Sequence, residues 1–107
     1  MKVEEIELHD ALLKNTVINY VSKTIEIQLE LYLNTNDTIR KSLSVVFEGV
    51  ESISQMSDLD KLEQNAFAGN INYWLPEQSS GTTYIYLTDG CIAIKAANIL
   101  LKSDQPL

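Results

Sequence analysis

The chain has 107 residues, of which 45% are apolar, so it is long and apolar enough for one folded domain, residues 1–107, with its own core. Its formal net charge of -7 and only eight Lys and Arg leave no basic stripe for a phosphate backbone, which excludes a nucleic-acid partner. A single cysteine excludes an internal disulfide, and the absence of a secretory h-region or a membrane-length apolar run favours a cytoplasmic protein with no membrane contact.

The first third of the chain predicts an irregular start followed by two strands. Residues 3–8 indicate a short edge element, which residues 9–11 (His-Asp-Ala) interrupt. Residues 16–21 are rich in β-branched residues and predict a strand, with a tight turn at residues 22–23. Residues 24–33 then give the longest period-2 alternation in the chain, which predicts a strand with one buried and one wet face. Its apolar positions are Ile25, Ile27, Leu29, Leu31 and Leu33.

The middle of the chain predicts two more strands and one helix. Residues 38–48 alternate as a strand, Gly49 indicates a bulge or sharp bend, and residues 50–56 continue as another strand. Residues 58–67 predict a short helix, capped by Ser57 with Asp60 reaching back as in a capping box. Gly69 is expected to stop this helix. Its apolar positions share one face at helical spacing: Leu59, Leu62, Ala66 and Phe67.

The last third predicts a strand over 70–75, a hairpin over 82–96 and a strand-like tail over 97–101, with residues 102–107 frayed. The two-residue loop Asp89-Gly90 is typical of a type I′ turn, which needs φ > 0 at both positions. That loop predicts a register with Leu87 opposite Ile92 and Ile85 opposite Ile94. One face of the hairpin is then uniformly apolar: Ile85, Leu87, Ile92, Ile94 and Ala96.

These elements predict a mainly β fold, an antiparallel β-sandwich or a partly open barrel of about 7–8 strands with one short helix at about residues 58–67. The apolar face of the hairpin needs a partner, because a lone hairpin is marginal in water. The other one-sided strand, residues 25–33, is the expected mate.

The residues that carry chemistry do not form a catalytic set. His9 and Asp10 are neighbours, and neighbours on an extended chain point apart, so they are not expected to act as a base and its orienting acid. Cys91 and His9 are interpreted as a packing residue and a histidine that hydrogen-bonds backbone. Residues 34–37 (Asn-Thr-Asn-Asp) lack the glycine and final glutamate of a calcium loop and are interpreted as a turn. We therefore predict no catalytic residues, no metal, no cofactor and no enzyme activity.

Two surfaces are candidates for recognition. Trp74, Tyr84 and Tyr86 are close in sequence, and either Tyr73 or Trp74 is expected to join the two tyrosines of the hairpin in one patch. Cross-strand aromatic pairing on a half-buried sheet is the alternative explanation of this cluster. The second candidate is the wet face of strand 24–33, where Glu26, Glu30 and Tyr32 offer an acidic surface for a basic protein or are simply solvated.

Two stretches resemble a known group of proteins. Residues 9–11 (HDA) ahead of a strand hairpin resemble the opening of small β-rich bacterial proteins. Residues 69–71 (GNI) with Trp74, and then residues 84–90 (YIYLTDG), are similar to their closing hairpin. Some of these proteins are grouped with the immunity proteins of polymorphic toxin systems. The resemblance implies a compact sandwich-like fold and a stoichiometric inhibitor, and it implies no catalytic residues.

Three functions follow as hypotheses. The first is a non-catalytic protein-binding module, such as an immunity protein that inhibits a toxin. The second is a binder of a small molecule or carbohydrate, with a pocket lined by Trp74 and the tyrosines. The third is a structural homo-oligomer, because an exposed edge strand invites pairing and residues 99–101 (Ile-Leu-Leu) are able to cover an edge or join a neighbour.

Overall fold

The fold is known from a computed structural model, which describes residues 2–34 and 36–103. It contains one 3₁₀ turn (Val3–Glu5), one α-helix, α1 (Leu59–Gln64), and eight strands. The strands are β1 (Leu12–Asn19), β2 (Thr24–Leu31), β3 (Lys41–Glu48), β4 (Ser52–Met56), β5 (Ile71–Leu75), β6 (Gly81–Leu87), β7 (Gly90–Ala96) and β8 (Asn98–Lys102). Fraying is predicted for residues 102–107, but Lys102 belongs to β8, and residues 104–107 lie outside the described residues.

The strands form two antiparallel sheets of four strands each. Sheet A has the order β1-β2-β3-β8, and sheet B has the order β4-β7-β6-β5. The predicted mainly β, antiparallel sandwich with one short helix is therefore confirmed. Of the two predicted forms, a sandwich or a partly open barrel, the packing is that of a sandwich, and the described strands do not close into a barrel because each sheet ends in edge strands. No helix in residues 2–34 and 36–103 is long and apolar enough to cross a membrane.

The core lies between the two sheets. The alternation of β2 is confirmed, since its four inward residues, from Ile25 to Leu31, are almost completely buried, whereas Leu33 lies beyond the end of the strand and is only half-buried. They belong to the same core as Ile85 and Ile94 of the hairpin, as predicted. Burying each such side chain contributes about 1.5–3 kcal/mol, so the two one-sided elements supply much of the folding free energy.

A bent ribbon of two strands connects the sheets. β3 pairs with β8 in sheet A, and their continuations β4 and β7 pair in sheet B. The bend lies at Gly49, as predicted, where φ is +62°. A Cβ atom at Gly49 would lie 2.8 Å from the Cβ of Ala97, so the two chains approach too closely there for a larger residue. Residues 50–56 thus turn the corner into the second sheet.

The hairpin is present but its register differs from the prediction. Leu87 pairs with Gly90 and Ile85 with Ile92, so Thr88 and Asp89 form the loop. Each strand keeps its predicted buried face, because the pairing changes by two positions and the side-chain period is two. Asp89 alone takes a positive φ (+54°) in the turn, and Gly90 does not. The absence of a side chain at Gly90 instead allows β4 to approach closely, since a Cβ atom there would lie against the carbonyl oxygen of Met56 in β4.

The helix is shorter than predicted and does not bury the predicted face. α1 ends at Gln64, and Phe67 lies in the turn that follows. Phe67 is therefore not on the same helix face as Leu59 and Leu62, and its side chain is 93% exposed. Leu59 is also exposed, and only Leu62 packs against the core. The cap is Asp58 rather than Ser57, because the Asp58 carboxylate accepts the backbone N–H of Lys61 at 3.1 Å.

The N-terminal segment, for which a short edge element is predicted, begins with the 3₁₀ turn Val3–Glu5. Val3, Ile6 and Leu8 are buried in the same core as the inward residues of the two sheets, and the chain then runs beside β5. There the Asp10 N–H donates to the carbonyl of Ile71, and the Ala11 carbonyl accepts from Ile71 in return. The segment therefore covers part of the β5 edge.

Candidate functional site

The two sheets present outer faces of different chemistry. On the outer face of sheet B, directly opposed residues form rows that cross all four strands. The first row is Tyr73, Tyr86, Cys91 and Met56, and the second is Leu75, Tyr84, Ala93 and Ser54. Neither row contains a charged residue. We call the surface made by Tyr73, Leu75, Tyr84, Tyr86, Cys91 and Met56 the tyrosine face.

Stacked rings lie at the centre of the tyrosine face. The rings of Tyr73 and Tyr86 have their centroids 4.7 Å apart, and those of Tyr84 and Tyr86 are 6.1 Å apart. Tyr73 is 48% exposed and Tyr84 is 40% exposed, so the stack faces solvent rather than the core. Stacked tyrosines keep few rotamers in solution, and this lowers the entropy lost when a partner covers them.

The environment of Tyr86 is less polar than that of a free tyrosine. Desolvation raises the pKa of Tyr86 above its ordinary value of 10.0, with smaller contributions from Tyr73, Cys91 and Tyr84. The phenol of Tyr86 is therefore neutral throughout the physiological pH range. The centre of the tyrosine face is both apolar and uncharged.

A β-bulge decides which aromatic residue of β5 joins this surface. The pairing of β5 with β6 shifts between Ile71 and Tyr73, so the inside-outside alternation restarts at Asn72. Tyr73 consequently points outward, and Trp74 points into the core, where it is 6% exposed. The indole N–H of Trp74 donates to the carbonyl of Ile6 at 3.1 Å. Of the two alternatives for the patch, the structure selects Tyr73, and Trp74 is not a surface residue.

No protein-family model, curated protein or solved structure matches this chain.

The outer face of sheet A carries a network of polar side chains. On sheet A, Gln28 donates to Glu26 at 2.6 Å and accepts from Asn15 at 2.9 Å, and Lys102 lies 3.5 Å from Glu26. These side chains satisfy one another, and Glu30 lies in the same polar groove of about 400 Å³. The outer face of sheet A is thus polar around Gln28 and Glu30, whereas the row through Glu26 also contains the apolar residues Val17, Val46 and Leu100.

Tyr32, which the sequence groups with Glu26 and Glu30 as one candidate surface, lies beyond the end of β2. Its ring lies beneath the guanidinium of Arg40, 4.7 Å from the ring centroid. Arg40 also donates to the carbonyls of Asp10 and Ala68, each at 3.1 Å, and ties three loops together. Tyr32 is therefore engaged in a structural contact, separate from Glu26 and Glu30.

The six candidate residues do not form one surface. Tyr84 and Tyr86 lie on the outer face of sheet B, whereas Glu26 and Glu30 lie on the outer face of sheet A. Sequence reasoning missed Leu75 and Met56, which are the exposed apolar residues that extend the tyrosines to both edges of sheet B. Their register opposite Tyr84 and Cys91 is the signal that identifies them, and it depends on the strand order.

His9 is engaged with its neighbours rather than with Cys91. His9 Nδ1 lies 2.9 Å from the carbonyl oxygen of Asn72, as expected for a histidine that bonds backbone. Its Nε2 lies 3.5 Å from the Asp10 carboxylate, so the expectation that these neighbours point apart is wrong. The reason is the left-handed φ of Asp10 (+65°), which turns the chain. The Asn72 carbonyl first, and then Asp10 and Glu7, raise the pKa of His9 above 6.5.

Cys91 lies in β7, two strands away from the β5 edge that His9 touches. At about 4.8 Å per strand, that separation is roughly 10 Å. Within residues 2–34 and 36–103, no group of three or more His, Cys, Asp or Glu is arranged to hold a metal ion. Asn34 and Asp37 hydrogen-bond each other across their loop, at 3.1 Å in each direction, as a turn does.

Surface cavities of about 650 and 480 Å³ accompany the polar groove of sheet A. The larger lies between the β1–β2 loop and β4, and the smaller lies beside His9 and Tyr32. Trp74 lines none of the three. The predicted pocket with Trp74 in its wall therefore does not correspond to any of these cavities.

Proposed function

We propose that this chain is a non-catalytic binding module whose tyrosine face docks on a basic partner protein. The observation that carries the proposal is the stacked, solvent-facing set of Tyr73, Tyr84 and Tyr86 in two cross-strand rows that contain no charged residue. Tyrosine is enriched among the residues that dominate binding energy at protein interfaces. A row of such residues across a four-stranded sheet offers a flat, preorganised surface to another folded protein.

Charge around the tyrosine face supports a basic partner. Asp89 lies in the β6–β7 turn, three residues beyond Tyr86, and Gly90 next to it abuts the end of β4. Asp58 and Asp60 follow β4 at the start of α1. Carboxylates therefore border one end of the tyrosine face, and the ion pair between Lys95 and Glu51 lies in the next row at its other end, on a chain whose net charge is -7. Basic residues at the rim of a partner would increase its association rate and fix its orientation.

An immunity role is the form of binding that we propose. The resemblance of residues 9–11 and of the closing hairpin to small β-rich bacterial proteins, some of them grouped with toxin immunity proteins, supports this role. An inhibitor of this kind acts by covering a toxin with a preformed surface and needs no catalytic set. The isolation of His9 from Cys91, two strands apart, is consistent with function by binding.

The experiment is partner capture followed by measurement with the purified partner. The tagged chain is recovered from its native cell at low ionic strength, where electrostatic steering is strongest, and the retained protein is identified by mass spectrometry. The dissociation constant of the purified pair is then measured for the wild type, for Tyr84→Ser and for Glu30→Gln on the opposite sheet. We expect Tyr84→Ser to weaken binding at least about tenfold and Glu30→Gln to leave it unchanged.

The same pair tests the immunity role. If the partner is a toxin, one equivalent of the chain abolishes its activity, and the Tyr84→Ser variant requires an excess. Binding that survives Tyr84→Ser but is lost in Glu30→Gln would place the interface on sheet A and refute the tyrosine face. Failure to retain any basic protein at low ionic strength would refute the binding module itself.

A further inference from the structure

The four sheet edges of the fold are protected to different degrees. The β5 edge is covered at Ile71 by residues 10–11, the β1 edge carries a bulge at Lys14, and β8 ends in Lys102. These are devices that block edge-to-edge pairing. β4, with the sequence Ser-Ile-Ser-Gln-Met over residues 52–56, has no charge. Among the described residues, its backbone pairs with β7 alone.

An apolar opening lies beside the free edge of β4. The cavity of about 650 Å³ between β4 and the β1–β2 hairpin has Ile18, Ile25, Val50 and Ile53 among its walls. On β7, the inward residues Ile92 and Ile94 are completely buried. Their partners on β4 are Gln55 and Ile53, which share the same inward face, yet Gln55 is exposed and Ile53 only half-buried. The inward side of β4 is therefore left uncovered at this edge of the sandwich, over about the width of one strand.

We propose that a second copy of this chain fills the opening, with the two β4 strands paired antiparallel about a twofold axis at Ser54. In a symmetric antiparallel pair, two residues that face each other share a face of the sheet. A centre at Ser54 pairs all five residues of β4, with Ile53 opposite Gln55 and Ser52 opposite Met56 of the second copy. No charge opposes another charge within the paired strands.

Charge complementarity at the ends of the strands supports the second copy as the occupant. The same register leads Asp58 of one copy toward Val50 of the other. The backbone N–H of Val50, on the free side of the strand, already donates to the carbonyl of Lys23 at 2.9 Å, so the pairing ends before Val50 and Asp58 comes to lie beside Lys23. The twofold axis therefore places a lysine near an aspartate of the other copy twice. The chain stays extended up to Asp58, which has φ -94° and ψ 104°.

The dimer also accounts for exposed apolar residues that the monomer leaves in water. Tyr20, in the β1–β2 loop, lines the cavity and is 83% exposed, and Val21 follows it with an exposed side chain. The β4 strand of the second copy would pack against this loop. Pairing at β4 joins two copies of sheet B edge to edge and leaves both tyrosine faces uncovered. The dimer is therefore independent of the proposed partner binding.

Site-specific cross-linking tests the register. With Cys91→Ser as background, Ser54→Cys places two cysteines opposite each other across the axis, within the Cα separation that a disulfide needs. Ser52→Cys is the matched control, because its two copies would lie about 13 Å apart along the strands. Under mild oxidation we expect a cross-linked dimer from Ser54→Cys and little from Ser52→Cys. Equal cross-linking of both, or none at Ser54, would overturn the register.

Sedimentation of the full chain over a range of concentrations tests the dimer itself. We expect a species of twice the chain mass of 12.0 kDa. Gln55→Lys places a charge on the inward side of the edge and should raise the dimer dissociation constant at least about tenfold. Val17→Lys adds the same charge to the β1 edge and should leave the dimer intact. A monomer at every concentration, or dissociation caused equally by Val17→Lys, would refute the proposal.

Discussion

Trp74 and Ile6 are joined by a hydrogen bond from the indole N–H to the backbone carbonyl, 3.1 Å long, inside the core. They are 68 residues apart in the sequence. This contact fixes the N-terminal segment against β5, and it explains why the single tryptophan of the chain is a structural residue rather than part of the binding surface.

Replacement of Trp74 by Phe should lower the free energy of unfolding by about 1–3 kcal/mol, because the Ile6 carbonyl loses its donor in a buried place. Denaturant unfolding followed by circular dichroism measures the change. Tyr73→Phe is the matched control, since Tyr73 faces solvent, and it should change stability by less than about 0.5 kcal/mol. Equal effects of the two variants would contradict the inward position of Trp74.

Asn70 links three segments that are distant in the sequence. Its side-chain oxygen accepts the N–H of Leu13 at 2.7 Å, and its amide nitrogen donates to the carbonyl of Leu62 at 3.2 Å. Because Asn70 is buried, Asn70→Ala leaves two backbone groups unpaired and should cost about 2–4 kcal/mol. Asn15→Ala removes a hydrogen bond in solvent and should cost less than about 1 kcal/mol. Thermal unfolding of the two variants side by side gives the comparison.

Asp89 keeps the positive φ that the sequence predicts, whereas Gly90 is needed for the space that it leaves beside Met56. Gly90→Ala should destabilise the protein by about 1–3 kcal/mol, because the added methyl group pushes β7 away from the carbonyl of Met56. Asp89→Gly should change stability by less than about 1 kcal/mol, since relief at its positive φ is offset by the greater freedom of glycine in the unfolded chain. A larger loss from Asp89→Gly than from Gly90→Ala would contradict the observed loop.

His9 should give the protein a pH dependence of known sign. Its pKa is raised in the folded state, first by the hydrogen bond to the Asn72 carbonyl and then by Asp10. A raised pKa means that the folded state binds the proton more tightly. The stabilisation is therefore complete below the unfolded pKa of about 6.5 and is lost as the pH rises through the folded pKa.

The comparison of the wild type with His9→Gln measures this effect. The stability advantage of the wild type should be larger near pH 5.5 than near pH 8.5, a range that brackets the pKa of a histidine. His9 is the single histidine of the chain, so its imidazole signals titrate without overlap in NMR spectra. A midpoint below 6.5, or an advantage that grows with pH, would contradict the contact with Asn72 and Asp10.

The sequence by itself determined most of the strands and their buried faces, although the first strand lies at Leu12–Asn19 and not at residues 16–21. The period-2 pattern of residues 25–31 and of the hairpin indicates the inward side. A shift of the pairing by one residue would expose every inward aliphatic side chain of the strand to water, which is unfavourable. The fold class, the bend at Gly49 and the mating of the two one-sided elements follow from that pattern. Local spacing sufficed for these features because each depends on periodicity or on one backbone conformation.

Only the tertiary structure decided which aromatic residues reach the surface and where the hairpin turns. The bulge at Asn72 sends Tyr73 outward and Trp74 inward, and no local rule marks that bulge. The carbonyl of Met56, 34 positions before Gly90, requires a glycine there, although the local sequence assigns Gly90 to a left-handed turn. Strand order brings Met56, Tyr73 and Tyr86 to one face, and that order is fixed by contacts between residues far apart in the chain.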